Sequence, residues 1–418
     1  MATSDWLEEG WRHVWLPYAQ MRTAPLPLPV VRTEGSRIHL ADGRVLIDGI
    51  ASWWTACHGY NHPHIRQAVA AQLDAMPHVM FGGLAHEPAY RLATRLAALM
   101  PDGLERVFFT DSGSVAVEVA MKVAVQARLN RGERGRTRFL AFRGGYHGDT
   151  FGTMAACDPE EGMHAMFAGL LPEHVIAPLP NEGGRQEFDS LLEGHAHELA
   201  GIIVEPLVQG AGGMVFHEAE VLRHLRAAAD HYGLTLIFDE IFTGFGRTGS
   251  MFACEQAGVT PDIVTLSKAL TGGTSPLAAT IVHHDLFDAF LSENPAHALM
   301  HGPTFMAHPL GCAAANASLD LFEREDRLGQ AGVIEVALRA GLEPCRNLRH
   351  VVDVRVRGAI GVVQLESIAD PAELRRRFIE HGVWIRPFRT IVYLTPALTI
   401  RPDELTRLTD AIHAVLAG

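Results

Sequence analysis

The sequence predicts an α/β fold with a large doubly wound, mainly parallel sheet domain and a smaller α+β domain built from both ends of the chain. Between about residues 62 and 320, short apolar runs alternate with longer stretches of helical periodicity, as in a parallel sheet covered by helices. Residues before 62 are rich in proline and aromatic side chains, and after 320 helical patterns frame shorter strands. We therefore expect 1–61 and 321–418 to form the smaller domain and 62–320 the larger one.

Local patterns predict the individual elements in chain order. A hairpin is expected over 38–48, because Asp42-Gly43 separates two apolar runs. Helical periodicity predicts helices over 114–128 and 220–232. The apolar runs expected to be strands of the large sheet are 106–110, 138–142, 201–205, 235–239, 263–266 and 277–282. The strands expected in the smaller domain are 351–356, 361–365 and 391–394.

The bulk composition excludes several classes of protein. With 35 basic and 48 acidic residues the net charge is −13, and no basic block tracks a phosphate backbone, so we expect no nucleic-acid partner. No run of 18 apolar residues and no basic-then-apolar start occur, so neither a membrane span nor a secretory signal is expected. The five scattered cysteines and 23 histidines form no metal-ligand spacing, so we expect no metal, reduced thiols and a cytoplasmic location.

Two charged residues end neighbouring apolar runs, where ligands of open parallel sheets bind. Asp239 closes one strand, and a carboxylate buried there needs a donor such as the N–H of a protonated pyridine ring. A helix cap or a salt bridge to an arginine would satisfy it equally well. Lys268 closes the next strand and is followed by Gly272 and Gly273; a desolvated lysine can attack an aldehyde, although a lone lysine after a strand is more often simply exposed. The pairing of the two favours the chemical interpretation.

A phosphate site is indicated where the strand 106–110 passes through Ser112-Gly113-Ser114 into a helix. Free backbone N–H groups and the helix dipole would face one spot there, with Gly113 and Ser114 as the contacts. Taken alone the signal is weak, because such turns commonly start helices.

Further polar residues follow other strands or lie late in the chain. Tyr146 stands in a glycine-rich bend and could lie flat against a cofactor ring, whereas the next residue, His147, is a general base or a satisfied polar residue and is assigned no catalytic role. Glu205 ends a buried strand and therefore needs a polar partner. Thr304 offers a hydroxyl to a phosphate and Arg386 a fork to a substrate carboxylate, though either alone would more often be structural.

Six motifs taken together resemble the class III aminotransferases of fold type I, and the resemblance covers nearly the whole chain. They are Asp-Ser-Gly-Ser at 111–114, Gly-Tyr-His-Gly at 145–148, Val-Glu-Pro at 204–206, Phe-Asp-Glu-Ile-Phe-Thr-Gly-Phe-Gly-Arg-Thr-Gly at 238–249, Leu-Ser-Lys at 266–268 and His-Gly-Pro-Thr-Phe at 301–305. The resemblance implies pyridoxal phosphate as the cofactor, and Lys268, Asp239 and Tyr146 as catalytic residues. The residues it implies for cofactor binding are Gly113, Ser114, Tyr146, Glu205, Asp239, Lys268, Pro303 and Thr304.

Within that family the chain is similar to members that pass the amino group of S-adenosylmethionine to 8-amino-7-oxononanoate in biotin biosynthesis. The similar segments are 15–21, 52–54, 58–63, 78–83, 301–306 and 382–388. The similarity implies that Tyr18, Trp53 and Trp54 line the substrate pocket, and that Asp149 supports Tyr18 or the donor's amino group. It implies that Arg386 binds a substrate carboxylate. It also implies a homodimer in which Gly302, Pro303 and Thr304 reach the neighbouring subunit's site.

Other functions stay open at this point. Leu16 and the segment 395–398 depart from the expected pattern and leave the donor-side contacts undecided. Another ω-aminotransferase of the same family, with a diamine, ornithine-like, γ-amino acid or lysine donor, is the nearest rival. The paired tryptophans and the segment 301–306 favour the biotin reaction. A cofactor-free binding protein on the same scaffold would have lost Lys268 or Asp239, and both are present.

Overall fold

The computed structural model describes residues 5–159, 165–167 and 169–418. Residues 1–4, where the expected 1–61 segment and the acidic first ten residues begin, lie outside the described part. The strands are β1 (Val30–Glu34), β2 (Arg37–Leu40), β3 (Val45–Asp48), β4 (Leu104–Thr110), β5 (Arg138–Phe142), β6 (Val175–Ala177), β7 (Leu199–Val204), β8 (Val208–Gln209), β9 (Val215–Phe216), β10 (Thr235–Asp239), β11 (Ile263–Leu266), β12 (Ala278–His283), β13 (Val351–Arg357), β14 (Ile360–Leu365), β15 (Val383–Trp384) and β16 (Ile391–Leu394). The helical elements are α1 (Asp5–Trp11), α2 (Ala51–Trp54), α3 (Pro63–Ala75), α4 (Glu87–Leu99), α5 (Gly113–Asn130), α6 (Phe151–Ala155), α7 (Arg185–His195), α8 (Ala219–Tyr232), α9 (Ala253–Ala257), α10 (His284–Phe287), α11 (Pro309–Arg324), α12 (Arg327–Leu342), α13 (Pro371–Glu380) and α14 (Pro402–Ala417).

A seven-stranded sheet in the order β4-β12-β11-β10-β7-β5-β6 organises the larger part of the molecule. Strand β12 runs antiparallel to both of its neighbours, and the other six strands run parallel to one another. Every residue of β7, β10 and β11 is buried, because helices cover both faces. The α/β, mainly parallel fold predicted from the alternating pattern is confirmed.

Two smaller sheets involve both ends of the described chain. Strands β1, β2 and β3 form an antiparallel unit around the Asp42-Gly43 turn, and β15 joins β3 in parallel. Strands β13, β14 and β16 form an antiparallel sheet. Because β15 comes from residues 383–384 and β3 from residues 45–48, the two ends share one sheet. This pairing supports the boundaries 1–61, 62–320 and 321–418, which stay a prediction.

The carboxyl ends of five parallel strands bring polar residues to one edge of the large sheet. Strand β4 leads to Ser112 at the start of α5, and β5 leads to the bend that contains Tyr146. Strand β7 ends one residue before Glu205, so the predicted strand 201–205 is one residue too long at its end. Strand β10 ends with Asp239, and β11 ends two residues before Lys268. No helix in the described part of the chain is long and apolar enough to cross a membrane.

Candidate active site

Three adjoining cavities open at this edge of the sheet: a larger one of about 520 Å³, a smaller one of about 200 Å³, and a third of about 360 Å³ that Gly113 and Lys268 also line. Trp54, Tyr146 and Lys268 line both the larger and the smaller cavity. The expected site residues that line the larger cavity are Tyr18, Trp53, Trp54, Tyr146, Lys268 and Arg386. Those that line the smaller cavity are Trp54, Gly113, Ser114, Tyr146, Glu205, Asp239 and Lys268. Residues from strand ends far apart in sequence therefore meet in one place.

Lys268 is held in a strained backbone conformation at the boundary of these cavities. Its φ of 38° lies in the left-handed region, which L-residues adopt only when the surrounding structure enforces it. Its Nζ lies 4.8 Å from the ring centroid of Trp54. Desolvation by burial lowers the pKa of the amine, against the opposing influence of Asp239 and Glu205. A larger fraction of this amine is therefore neutral, and so nucleophilic, than at an exposed lysine.

The chain contains one other lysine, Lys122. It is exposed on α5, where its Nζ lies 3.1 Å from Nδ1 of His301. Lys268 is thus the single lysine of the sequence at the cavity, and an aldehyde bound there has one amine of this type within reach.

The Asp239 carboxylate is buried and held by three donors. His147 Nδ1 lies 2.8 Å from Oδ2, while Oδ1 accepts the N–H of Ile241 at 3.1 Å and the hydroxyl of Thr265 at 3.3 Å. The charged or ring side chain that pairs with Asp239 is thus a histidine, and not the arginine or helix end that the sequence left open. His147 itself is 3% exposed and is placed by a hydrogen bond from its N–H to Cys157 Sγ.

His147 is a satisfied polar residue, one of the two alternatives left open, but its contact with Asp239 was not predicted. Its pairing joins residues 92 positions apart and depends on how the loop after β5 folds over β10. The available signal was its place beside Tyr146 at a strand end, together with the need of a buried Asp239 for a donor.

Glu205 ties two loops together beneath the cavity. Its carboxylate accepts the N–H of Tyr146 at 3.1 Å and the N–H of Gly210 at 2.9 Å, so it has the polar partners that its buried position requires. Burial raises its pKa to about 7. The same two loops touch where a Cβ on Gly212 would lie 1.9 Å from the carbonyl oxygen of Gly144, so this approach needs glycine.

The start of α5 forms a cradle suited to an anion. Ser112 is the N-cap residue and accepts the N–H of Val115, and the helix then runs for 18 residues with its positive end at the smaller cavity. Gly113 and Ser114 line that cavity. A Cβ on Gly148 would lie 2.2 Å from Ser114 Oγ, so glycine at 148 lets the neighbouring loop pack against the cradle.

Aromatic and charged side chains close the outer side of the larger cavity. The Tyr18 hydroxyl donates to Asp149 Oδ2 at 2.5 Å and lies 3.3 Å from the Tyr146 hydroxyl. Burial and the bond to Asp149 raise the pKa of Tyr18 to about 12, so it stays a neutral donor. The Trp53 ring meets Tyr18 edge-on at 6.0 Å between centroids, and the Arg386 guanidinium lies 4.3 Å above the Trp53 ring.

Element α2 is a left-handed turn that carries both tryptophans. Ala51, Ser52, Trp53 and Trp54 have φ values of 46°, 50°, 64° and 75°. Each left-handed L-residue costs roughly 1–2 kcal/mol, so the surrounding structure must hold this turn in place. The turn sends Trp54 inward, where it is 7% exposed, and leaves Trp53 38% exposed at the cavity mouth.

Four of the expected site residues line neither the larger nor the smaller cavity: Asp149, whose carboxylate accepts the hydroxyl of Tyr18, and Gly302, Pro303 and Thr304. In the described part of the chain, Gly302, Pro303 and Thr304 line none of the three cavities that Lys268 lines. They belong to the loop before α11, in which Gly302 and Thr304 are exposed. Their assignment to a neighbouring subunit's site stays a prediction.

Other cavity-lining residues were not expected from the sequence. Asp158, Phe388, Arg389 and Tyr393 line the larger cavity, and the Asp158 carboxylate accepts the N–H of Gly144 at 2.7 Å. Phe388 ends the similar segment 382–388 but was given no role there, and no motif marked Asp158, Arg389 or Tyr393.

Similarity to known proteins agrees with this geometry. The family model described as aminotransferase class-III matches residues 18–416. The chain belongs to the class III aminotransferases. It is 45% identical over 413 residues to the adenosylmethionine-8-amino-7-oxononanoate aminotransferase of Mycobacterium leprae, covering 96% of this chain and 94% of that protein.

Solved structures show the same architecture. The adenosylmethionine-8-amino-7-oxononanoate aminotransferase of Methanocaldococcus jannaschii superposes on this aminotransferase with a TM-score of 0.93 at 32% identity, covering 98% of both chains. An amine transaminase from an uncultivated Pseudomonas species, solved with pyridoxal phosphate bound, gives a TM-score of 0.89 at 33% identity, covering 97% of this chain and 98% of that one. Pyridoxal phosphate is accordingly the cofactor of this aminotransferase.

The groups that line the smaller cavity fit that cofactor. The positive end of α5 at Gly113 and Ser114 suits a phosphate, and the buried Asp239 carboxylate suits a protonated ring nitrogen. The amine of Lys268, whose pKa is lowered by burial, suits an aldehyde. Tyr146 lines the same space and suits the face of an aromatic ring.

Proposed function

We propose that this aminotransferase transfers the amino group of S-adenosylmethionine to 8-amino-7-oxononanoate and so produces 7,8-diaminononanoate for biotin biosynthesis. The observation that carries the proposal is the wall of the larger cavity, where Trp53, Trp54 and Tyr18 offer aromatic surface and Arg386 offers a cation. An aliphatic chain with a terminal carboxylate has the complementary shape and charge. The M. leprae and M. jannaschii proteins, whose names state this reaction, match this chain over 94% or more of their length.

Residues of the chain would divide the chemistry among them. Pyridoxal phosphate, when bound, supplies the carbonyl that takes up the amino group and the ring that accommodates the electron pair released at the substrate's Cα. Lys268 would hold the cofactor between turnovers and, once released, carry the proton from the substrate's Cα to the C4′ atom. Asp239 would accept the ring N–H, with His147 orienting its carboxylate through the 2.8 Å contact.

Other side chains would bind and orient. Gly113 and Ser114, with Pro303 and Thr304 of a second subunit, would hold the phosphate. Glu205 would fix the bend that places Tyr146 against the ring, because it accepts the Tyr146 N–H.

The side chains at the outer side of the larger cavity would bind the substrates. Tyr18, held by Asp149, would border the donor and acceptor together with Trp53, Trp54 and Gly302, and Arg386 would pair with a carboxylate. Since donor and acceptor occupy the same space in turn, the kinetics would be ping-pong.

We also propose a homodimer with its sites at the interface, working in the cytoplasm. Within one chain the segment 302–304 lines none of the cavities that Lys268 lines, and its large apolar neighbours Met300 and Phe305 are 79% and 50% exposed. Such exposure of apolar side chains is typical of a surface covered in an assembly. The cytoplasmic location is supported by the five cysteines, all of which are buried and free of disulfides.

Rescue of a biotin auxotroph tests this function. A strain that lacks the aminotransferase step should grow without biotin when it carries this gene, and should fail to grow when it carries the Lys268→Ala variant. Growth with the variant, or no growth with the wild type at normal protein levels, would contradict the proposal.

A donor assay separates the rival activities. The purified holoenzyme is given 8-amino-7-oxononanoate with S-adenosylmethionine, lysine, ornithine or a diamine in turn. The highest kcat/KM with S-adenosylmethionine is the expected result. A preference for a simple amine would favour the activity stated in the name of the Pseudomonas relative.

A further inference from the structure

Asp48 is a buried carboxylate that no part of the proposed chemistry uses. It is the last residue of β3 and is 1% exposed. Its Oδ1 accepts the N–H of Ile50 at 2.8 Å, and its Oδ2 accepts the N–H of Ser52 at 2.7 Å and the hydroxyl of Tyr60 at 2.6 Å. Three donors therefore converge on one side chain, and two of them are backbone groups at the start of α2.

These bonds fall where α2, the tryptophan turn Ala51–Trp54, leaves the sheet. Ser52, whose N–H is bound by Asp48, has φ 50° and ψ 54°, a left-handed conformation that an L-residue adopts only under constraint. The turn closes through Trp54 N–H to Ile50 O at 2.9 Å and Thr55 N–H to Ala51 O at 2.9 Å. Asp48 is thus bonded to the backbone on both sides of the first left-handed residue, Ala51.

The handedness of the tryptophan turn decides where its two indole rings lie. Trp54 packs against Phe242 with 4.4 Å between ring centroids, beneath Lys268 Nζ, while Trp53 lies under the Arg386 guanidinium. A right-handed backbone at these residues would send both rings in other directions, since side chains follow the φ and ψ of their own residues. The width of the cavity between the two rings therefore depends on the turn.

We propose that Asp48, supported by Tyr60, is a positioning residue that holds the tryptophan turn left-handed and thereby sets how tightly the two substrates bind. This inference rests on the proposed function for the identity of the substrates, but it concerns the same cavity whichever amine and ketone the enzyme accepts. The backbone of Tyr60 forms a pair of hydrogen bonds with Gly35 in the β1–β2 connection, and these bonds hold Tyr60 in place beside Asp48.

The test compares Asp48→Asn with Asp42→Asn in the cofactor-loaded enzyme. An amide at position 48 keeps the size of the side chain but loses one of its two acceptor oxygens. Asp42→Asn is the control, because it makes the same chemical change in an exposed hairpin turn. For Asp48→Asn we expect KM for both substrates to rise about tenfold or more, the loss typical of a hydrogen bond to a charged group. We expect kcat at saturation to fall by a smaller factor than KM rises, and Asp42→Asn to match the wild type throughout.

A purely structural role would give a different pattern. It would reduce the fraction of active enzyme and hence kcat, with KM unchanged, and that outcome would overturn the inference. If Asp48→Asn does not fold, Tyr60→Phe takes its place: it removes one of the three donors and should raise KM by a smaller factor. An unchanged KM in Tyr60→Phe would then overturn it.

A rescue variant tests the conformational step directly. Glycine adopts the left-handed region at little cost, so Ser52→Gly added to Asp48→Asn or to Tyr60→Phe should recover part of the lost affinity. No recovery would show that Asp48 does not act through the turn. Failure of the wild type to use 8-amino-7-oxononanoate would sink the proposed function alone, because the KM comparison then proceeds with the amine and ketone that the enzyme does accept.

Discussion

At the scale of the residue, Lys268 is better suited than an exposed lysine to attack a bound aldehyde. Strand β11 and the left-handed backbone at Lys268 place its amine at the cavity. Desolvation lowers the pKa of the amine and so favours its neutral form, while Asp239 and Glu205 oppose this shift by favouring the charged form.

Borohydride reduction of the cofactor-loaded enzyme should attach the cofactor to Lys268 alone. The sequence has only Lys122 as a competing lysine, and peptide mass spectrometry distinguishes the two. Lys268→Ala should lose the label and at least about 10²–10⁴-fold in kcat, the range for removing a group that transfers protons in the reaction. Lys122→Ala, at an exposed position, is the matched control and should keep both the label on Lys268 and the wild-type kcat. A label on Lys122 in the wild type would contradict the assignment.

Asp239 and His147 should differ in their effect although they touch each other. Asp239→Asn removes the charge that would keep the ring nitrogen protonated, and we expect kcat to fall by about 10²-fold or more. His147→Gln removes only the donor at 2.8 Å from the carboxylate, so its loss should be smaller, roughly 10-fold. Steady-state kinetics with saturating cofactor measures both. An equal loss in the two variants would mean that His147 takes part directly.

The site residues that could be predicted from the sequence are those that end or closely follow a recognisable apolar strand. Asp239, Lys268 and Gly113 each follow an apolar run, so the strand pattern alone places them at the ligand edge. Asp158 and Tyr393 reach the cavity from irregular or distant segments, and nothing in their local pattern indicates it. Asp158 is held by the N–H of Gly144, 14 residues earlier, whereas Tyr393 lies in β16, more than a hundred residues after Lys268. Both reach the cavity through tertiary packing.

At the scale of the element, long apolar strands were predictable and short or strained ones were not. Strands β5, β10 and β11 have the predicted bounds, because each is an apolar run that ends at a polar residue or directly before one. The two-residue strands β8, β9 and β15 are too short to show a period of two. The left-handed α2 was not predictable, since Ala-Ser-Trp-Trp contains no glycine to suggest a positive φ.

The Glu240 carboxyl joins the end of β10 to α9. It is fully buried and accepts the N–H of Ala253 at 3.0 Å, the N–H of Cys254 at 2.9 Å and the hydroxyl of Thr243 at 2.6 Å. Burial raises its pKa to about 7 from an ordinary 4.5. Between about pH 4.5 and pH 7 the folded protein therefore holds a proton on Glu240 that the unfolded chain releases.

The stability contributed by Glu240 should consequently fall as pH rises. It is fully present below about pH 4.5 and is lost as the pH passes through about 7, an effect on the order of 3 kcal/mol in the free energy of unfolding. Glu240→Gln cannot ionise, so its denaturant unfolding curves should shift less with pH over that window. Glu193→Gln, on the exposed face of α7, is the control and should keep the wild-type slope. A slope in Glu240→Gln as steep as that of the wild type would disprove the account.

At the scale of the whole molecule, one chain brings most of the expected site residues together. The large sheet brings five strand ends together, and the small sheets add Trp53, Trp54 and Arg386 from both ends of the chain. The segment 302–304 remains outside the cavities that contain Lys268. The role proposed for this segment rests on resemblance alone, because neither periodicity nor strand order in one chain indicates a contact with a second chain.

Mixing two inactive variants decides whether Thr304 serves the partner's site. Lys268→Ala lacks the amine, and Thr304→Asp would place a negative charge against the phosphate. If each site combines Lys268 of one subunit with Thr304 of the other, a mixed dimer contains one intact site and one doubly defective site. Denaturing and refolding an equal mixture with cofactor should then restore activity to about a quarter of the wild-type value, given random pairing in a two-fold dimer. Each variant refolded alone is the control, and both should stay inactive. If Thr304 instead serves its own subunit, every site in the mixture carries a defect, and the mixture would be as inactive as its components.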